Sequence, residues 1–224
     1  MSNTDKLFKE PNNLAQLFVF CGKSGKGKSY MIRYLLSDML QKKKVKFGLV
    51  FTRTKFNNDY DFLPDDKVMQ YDEEIVQNYV HNLEEMKKKN KKVQPNFMVF
   101  DDCQGILSSQ TPFMQNFFAT FRHFNINIFI ACQYLTGRNS ISPIMREQTN
   151  YCLMFKSKTR RTLENLYESY GQLFDSLELF TQYFFKATQE PFSCMVYFER
   201  EDDVDKNYIT IMAPKNIPKM KFNF

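Results

Sequence analysis

The sequence predicts an α/β domain in which a mainly parallel sheet carries helices on both faces. Three observations support that class. Short continuous apolar runs alternate with longer amphipathic stretches, as strands buried on both sides alternate with crossover helices. A glycine-rich turn follows the first apolar run directly. The chain has 224 residues, 43% of them hydrophobic, which is enough for one core.

Taken in order, Leu17-Phe18-Val19-Phe20-Cys21 is a continuous apolar run and reads as the first strand. The glycine turn follows, then a helix over 28–40 and a strand over 46–52. Stretch 54–66 is polar, contains Pro64 and reads as a loop. A helix is expected over 72–89, where Tyr71, Ile75, Tyr79 and Leu83 recur at helical spacing and mark a packing face. A strand over 97–101, a helix over 112–123, and strands over 126–132 and 151–155 come next. Helices over 159–170 and 177–186 precede a strand over 192–198 and a short one near 208–211. The whole of 1–224 reads as a single domain, with 1–13 a polar segment and 214–224 an extended arm or an ordinary tail.

Composition excludes several classes. The net charge of +6 permits an anionic partner without requiring one. The five cysteines have no C-x-x-C spacing and sit in or beside apolar runs, so buried free thiols explain them better than disulfides or zinc. With His81 and His123 as the only histidines, a histidine-rich metal site is excluded. The first residues lack a signal-peptide core, and no apolar run approaches the ~20 residues that span a bilayer. A protein that is not secreted and has no transmembrane segment is expected.

The chemistry begins at Gly22-Lys23-Ser24-Gly25-Lys26-Gly27-Lys28-Ser29, a G-x-x-x-x-G-K-S phosphate loop between a strand and a helix. Glycines let successive N–H groups curl round a phosphate, and the helix start adds partial positive charge. The loop from Gly22 to Ser29, with Tyr30 after it, is the expected ATP cradle. Lys28 reaches the β- and γ-phosphates, and Ser29 ligates Mg²⁺. The run Phe97-Met98-Val99-Phe100 ends in Asp101-Asp102. A carboxylate at such a strand tip lies beside the phosphate loop in an open α/β sheet. Asp101 is the expected Mg²⁺ partner and Asp102 the group that polarises the attacking water. The strand 126–132 is followed by Gln133. If that strand lies between the other two, Gln133 sits near the γ-phosphate. Arg122, before the same strand, falls at the opposite sheet edge and would act on a neighbouring subunit's phosphates, with Arg138 and Arg146 as competing candidates.

These elements together resemble the FtsK–HerA superfamily of DNA-pumping ATPases, and within it the genome-packaging ATPases of poxviruses, giant viruses, virophages and turreted archaeal viruses. The resemblance runs from Leu17 to Phe155. Its more specific part is Arg122-His123-Phe124-Asn125-Ile126 leading to Gln133, then Ile144-Met145-Arg146 and the following strand. It implies a RecA-like phosphate-loop NTPase that drives double-stranded DNA into a preformed capsid as a homo-oligomeric ring, a pentamer or hexamer, with capsid or portal-vertex proteins as partners. It also implies Asp102 in the role glutamate takes in many cellular relatives, and an arginine acting between subunits. The implied location is the host-cell cytoplasm or viral assembly site, with transient residence at the virion vertex.

Two other readings stay open: a nucleoside or nucleotide kinase, and an ATP-binding assembly scaffold. A signalling GTPase fits poorly, because no N-K-x-D guanine-reading motif occurs. Three basic clusters (Lys42 to Lys46, Lys87 to Lys92, Lys156 to Arg161) are compatible with contact to a DNA backbone, or with solvated helix ends.

Overall fold

The computed structural model describes residues 15–103, 111–137, 140–198, 204–218 and 220–224. The expected segment 1–13 and Arg138 lie outside them. In chain order the elements are β1 (Leu17–Cys21), α1 (Lys28–Gln41), β2 (Phe47–Thr52), β3 (Val68–Met69), α2 (Glu73–Lys88), β4 (Asn96–Asp101), α3 (Pro112–Thr120) and β5 (Ile126–Cys132). They continue through α4 (Pro143–Glu147), β6 (Tyr151–Phe155), α5 (Arg160–Tyr170), α6 (Leu177–Ala187), β7 (Ser193–Phe198), α7 (Val204–Asn207) and β8 (Tyr208–Met212).

The strands form one eight-stranded sheet in the order β3-β2-β4-β5-β1-β6-β7-β8. From β3 to β6 all neighbours are parallel, while β7 and β8 add an antiparallel edge. Each expected strand is present. The two-residue β3 and the short α4 and α7 were too brief to show a periodic pattern in the sequence.

The apolar strands are buried on both faces. Along β1, Leu17, Val19 and Cys21 enter one core, while Phe18 and Phe20 enter the other. That alternation is the two-residue period of a strand with no solvent side. Helices α2, α3, α5 and α6 cover the first face through residues such as Val80, Phe118, Leu166 and Phe184. On the second face α1 supplies Ile32, Leu35, Leu36 and Met39. There Phe18 is stacked between Phe129 and Tyr151, both ring pairs at 4.8 Å.

Among the described residues this second face is finished without another long helix. The loop after β2 contributes Tyr60, Phe62 and Leu63, and Phe222 packs against them. The Phe222 amide donates to the Phe62 carbonyl at 2.8 Å, and the Phe224 ring meets Phe97 edge-on at 6.0 Å. The described residues of the 214–224 stretch therefore lie back on the domain.

The helix expected over 112–123 stops at Thr120, and Phe121–Phe124 tightens into a 3-10 turn. Asn125 then adopts φ 54°, a left-handed conformation that asparagine tolerates, and turns the chain directly into β5. The Asn96 side chain fixes this turn by donating to the carbonyls of Phe124 and Asn125 at 2.9 and 3.0 Å.

Candidate functional site

Three neighbouring parallel strands deliver the site. β5 lies between β4 and β1, so their C-terminal tips stand side by side. In an open α/β sheet this end is where ligands bind.

The loop from β1 to α1 is shaped by its glycines. A side chain at Gly22 would bring its Cβ within 2.7 Å of the Phe155 Cβ, so the loop leaves β1 pressed against the end of β6. Gly25 and Gly27 have φ of 72° and 90°, which favours glycine. Gly27 is the N-cap of α1, whose first turn carries no acidic residue of its own, and the positive end of this 14-residue helix faces the loop.

Lys28 reaches back over the loop. Its Nζ donates to the carbonyls of Gly22 at 2.7 Å and Lys23 at 3.1 Å. Burial lowers its pKa, and the nearby Asp101 carboxylate works against that shift. Asp101, the last residue of β4, is only 4% exposed. Its carboxylate is hydrogen-bonded by Ser29 and accepts a 2.9 Å bond from the Tyr60 hydroxyl at Oδ2. Burial raises the Asp101 pKa; the bonds from Ser29 and Tyr60 and the charge of Lys28 oppose the rise.

Asp102 is exposed and has φ 56°, so the chain turns as soon as it leaves β4. Asp101, Asp102, Lys28, Ser29 and Gln133 all line one cavity of about 450 Å³. Ser24, Gly25, Gly27 and Tyr30 border the same cavity. Tyr30 reaches outward, its hydroxyl shared between the carbonyls of Pro214 and Lys215 at 2.8 Å each. Three residues of the expected cradle stand apart from the cavity wall: Gly22 is buried under Phe155, Lys23 bonds Thr159 at 3.0 Å, and Lys26 is exposed.

Ser29 and Asp101 are hard oxygen donors in hydrogen-bond contact, the donor type that suits Mg²⁺. Among the described residues no group of three His, Cys, Asp or Glu side chains forms a metal cluster. These residues fit a magnesium ion shared with a phosphate better than one held by protein alone.

The cavity has a wall that the sequence reading missed. Thr54, Asn57 and Asp59 from the loop after β2 line it, and Tyr60 in that loop holds Asp101. The available signal was position. This polar stretch follows a parallel strand paired with β4, so it emerges at the same sheet end. Burial, followed by the proximity of Asp101, raises the Asp59 pKa.

The two described arginine candidates are tied into their own chain. Arg122 lies in the turn before β5, at the opposite end of the sheet from Gln133. Its guanidinium bonds the Gln148 side chain, the Gln148 carbonyl at 3.0 Å and Asn150 Oδ1 at 3.0 Å, and stacks on Phe121. Arg146 donates to the carbonyls of Leu135 at 2.9 Å and Ile141 at 2.8 Å, holding the loop that follows Gln133. The five cysteines are free and buried, as expected.

A glycine loop between β1 and α1, a buried carboxylate at the tip of β4, and a strand inserted between them define a phosphate-loop NTPase fold of the RecA-like kind. Residues 3–171 match the family described as Poxvirus A32 protein, and the chain belongs to that family. The match bears out the resemblance to viral packaging ATPases carried by the motifs. Among relatives, the chain is 28% identical over 179 residues to uncharacterized protein 075L of Invertebrate iridescent virus 6, spanning 76% of this chain and 66% of that protein. Among solved structures, it superposes on the genome packaging NTPase B204 of Sulfolobus turreted icosahedral virus 2 in complex with ATP-gammaS. The TM-score is 0.63 at 15% identity, covering 89% of this chain and 97% of the other. It also superposes on B204, the DNA-packaging ATPase of Sulfolobus Turreted Icosahedral Virus. There the TM-score is 0.61 at 17% identity, covering 91% and 100% of the two chains. These identities establish a shared fold. No helix among the described residues is long and apolar enough to cross a membrane.

Proposed function

We propose that this protein is a Mg²⁺-dependent ATPase that drives viral double-stranded DNA into a preformed capsid. The observation that carries the proposal is the convergence of Lys28, Ser29, Asp101, Asp102 and Gln133 on one cavity. Family membership and the solved ATP-gammaS complex of a structural relative support ATP as the nucleotide.

In this reading the glycine loop and the start of α1 bind the phosphates, and Lys28 exchanges its loop carbonyls for phosphate oxygens. Ser29 and Asp101 would hold a magnesium ion, which would supply charge neutralisation to the phosphates. Asp102, exposed at the mouth, orients a water and accepts its proton. Gln133 hydrogen-bonds the same water and the γ-phosphate. Phosphoryl transfer depends chiefly on such positioning and electrostatics.

The described cavity wall contains no arginine. We infer that the missing cation comes from a neighbouring subunit in a ring, a pentamer or hexamer, and that Arg122 supplies it. The bonds to Gln148 and Asn150 use three of the guanidinium's five N–H groups, and the residue is only half-buried. Arg146 is the alternative, and its grip on the loop after Gln133 favours a positioning role. A γ-phosphate held between two subunits is a two-state element that hydrolysis releases, and repetition round a ring would move DNA. Capsid or portal-vertex proteins are the proposed partners, and the viral assembly site in the host cell the proposed location.

The deciding experiment measures ATP hydrolysis with and without duplex DNA, alongside the mass of the assembly. DNA-stimulated turnover by a ring is expected. Phosphate transfer to a nucleoside would establish a kinase instead, and binding without turnover a scaffold.

A further inference from the structure

We propose that the surface formed by Lys156, Lys158, Lys186 and the exposed ring of Phe185 holds the phosphate backbone of duplex DNA. The proposal rests on the motor reading above and names the contact that such a motor requires.

The fold joins two segments that are distant in sequence. Lys156 and Lys158 follow β6, whereas Phe185 and Lys186 end α6, yet all four line one hollow of about 640 Å³. Ser157 is 4% exposed and turns inward, so the two lysines flanking it project outward together. Phe185 is 41% exposed and provides an apolar floor among the cations. Lys156 Nζ touches the Gln189 carbonyl at 3.4 Å, and no described ion pair neutralises Lys156, Lys158 or Lys186. Exposed cations without counter-charges match a polyanion, and backbone phosphates bind without sequence preference.

Position separates this patch from the other two basic clusters. Lys42 is paired with Asp38 at the C-terminal end of α1, and Lys88 with Glu85 near the end of α2. In the same cluster Lys87 donates to the His123 carbonyl, at the sheet end where β5 begins. Only the Lys156 segment follows a strand tip at the nucleotide end. Both of its ends are pinned to the phosphate loop: Phe155 abuts Gly22, and Thr159 accepts a 3.0 Å bond from Lys23. A change in the loop on hydrolysis therefore reaches the lysines through two contacts. An anionic membrane is disfavoured, because one exposed aromatic ring offers little area for insertion.

The test compares duplex DNA binding and DNA-stimulated hydrolysis across salt concentrations. The wild type, Lys156→Gln/Lys158→Gln/Lys186→Gln, Lys186→Gln alone and a Lys89→Gln/Lys91→Gln/Lys92→Gln control are measured together. The triple variant is expected to lose about tenfold or more in DNA affinity, with its log–log salt slope smaller by about 2–3. The single variant loses about one unit of slope. Basal hydrolysis without DNA stays at the wild-type level in all variants, and the control binds DNA as the wild type does. Wild-type affinity and slope in the triple variant, in a protein that DNA stimulates, would overturn this surface and leave the motor reading intact. A wild type that DNA neither binds nor stimulates would overturn the motor reading and this surface with it. Sedimentation with phosphatidylserine vesicles completes the test. Vesicle binding that the triple variant loses, with an unchanged DNA response, would assign the lysines to a membrane and overturn the proposal.

Discussion

The Tyr60 hydroxyl donates to Oδ2 of the buried Asp101 at 2.9 Å, linking the loop after β2 to the carboxylate at the tip of β4. A bond to a buried carboxylate is worth about 1.5–3 kcal/mol, roughly twice a neutral one. It also takes up one lone-pair direction of Asp101 and fixes the other oxygen's orientation. Tyr60→Phe removes only the hydroxyl. We expect lower stability in urea by about 1.5–3 kcal/mol. Magnesium should strengthen binding of a fluorescent ATP analogue less than in the wild type, while binding in EDTA stays unchanged. An equal magnesium effect in both proteins would show the bond to be structural only.

Lys28→Ala should abolish phosphate release while leaving the far-ultraviolet circular dichroism unchanged. The side chain bonds only loop carbonyls and is half-buried, so its loss opens no core cavity. Turnover at the wild-type rate would remove Lys28 from the site.

Asp102→Asn should keep ATP affinity and slow hydrolysis by about 10²–10⁴-fold, the usual worth of a positioned base. The exposed Asp102 makes little structural contribution, so melting should not change. Lost ATP affinity, read by equilibrium binding, would instead make Asp102 a metal ligand.

Arg122→Ala subunits mixed with wild type should inactivate the assembly out of proportion to their fraction. Activity that falls linearly with the fraction would end the role in trans. Because Arg122 also ties Gln148 and Asn150, a thermal melt of the variant must accompany the titration.

Phe18→Ala should cost about 3–5 kcal/mol in urea unfolding. The ring is fully buried and stacked on Phe129 and Tyr151, both on strands adjoining β1. A loss below about 1 kcal/mol would mean that the second core repacks around the gap.

Most of the sheet was legible because strands buried on both faces leave uninterrupted apolar runs, as in Leu17–Cys21 and Ile126–Cys132. The phosphate loop and the Asp101-Asp102 pair were legible because their chemistry demands particular residues at fixed places relative to a strand. The wall built by Thr54, Asn57, Asp59 and Tyr60 was not. Those residues lie in a polar loop with no period, and Tyr60 becomes meaningful only once β2 is seen to pair with β4. The arginines were legible as cations, but not in their partners. The bonds from Arg122 to Gln148 and Asn150 cross from the β5 entry to the β6 entry. Likewise the patch of Lys156, Lys158 and Lys186 depends on a tertiary meeting that neither segment announces alone.

Phe222 clasps Phe62, two residues beyond the tyrosine that steadies the β4 carboxylate. Trimming or tagging the chain near Phe222 is therefore an intervention at the proposed nucleotide site, transmitted through a few side chains. A preparation altered there would report on a loosened Asp101 environment rather than on the native one.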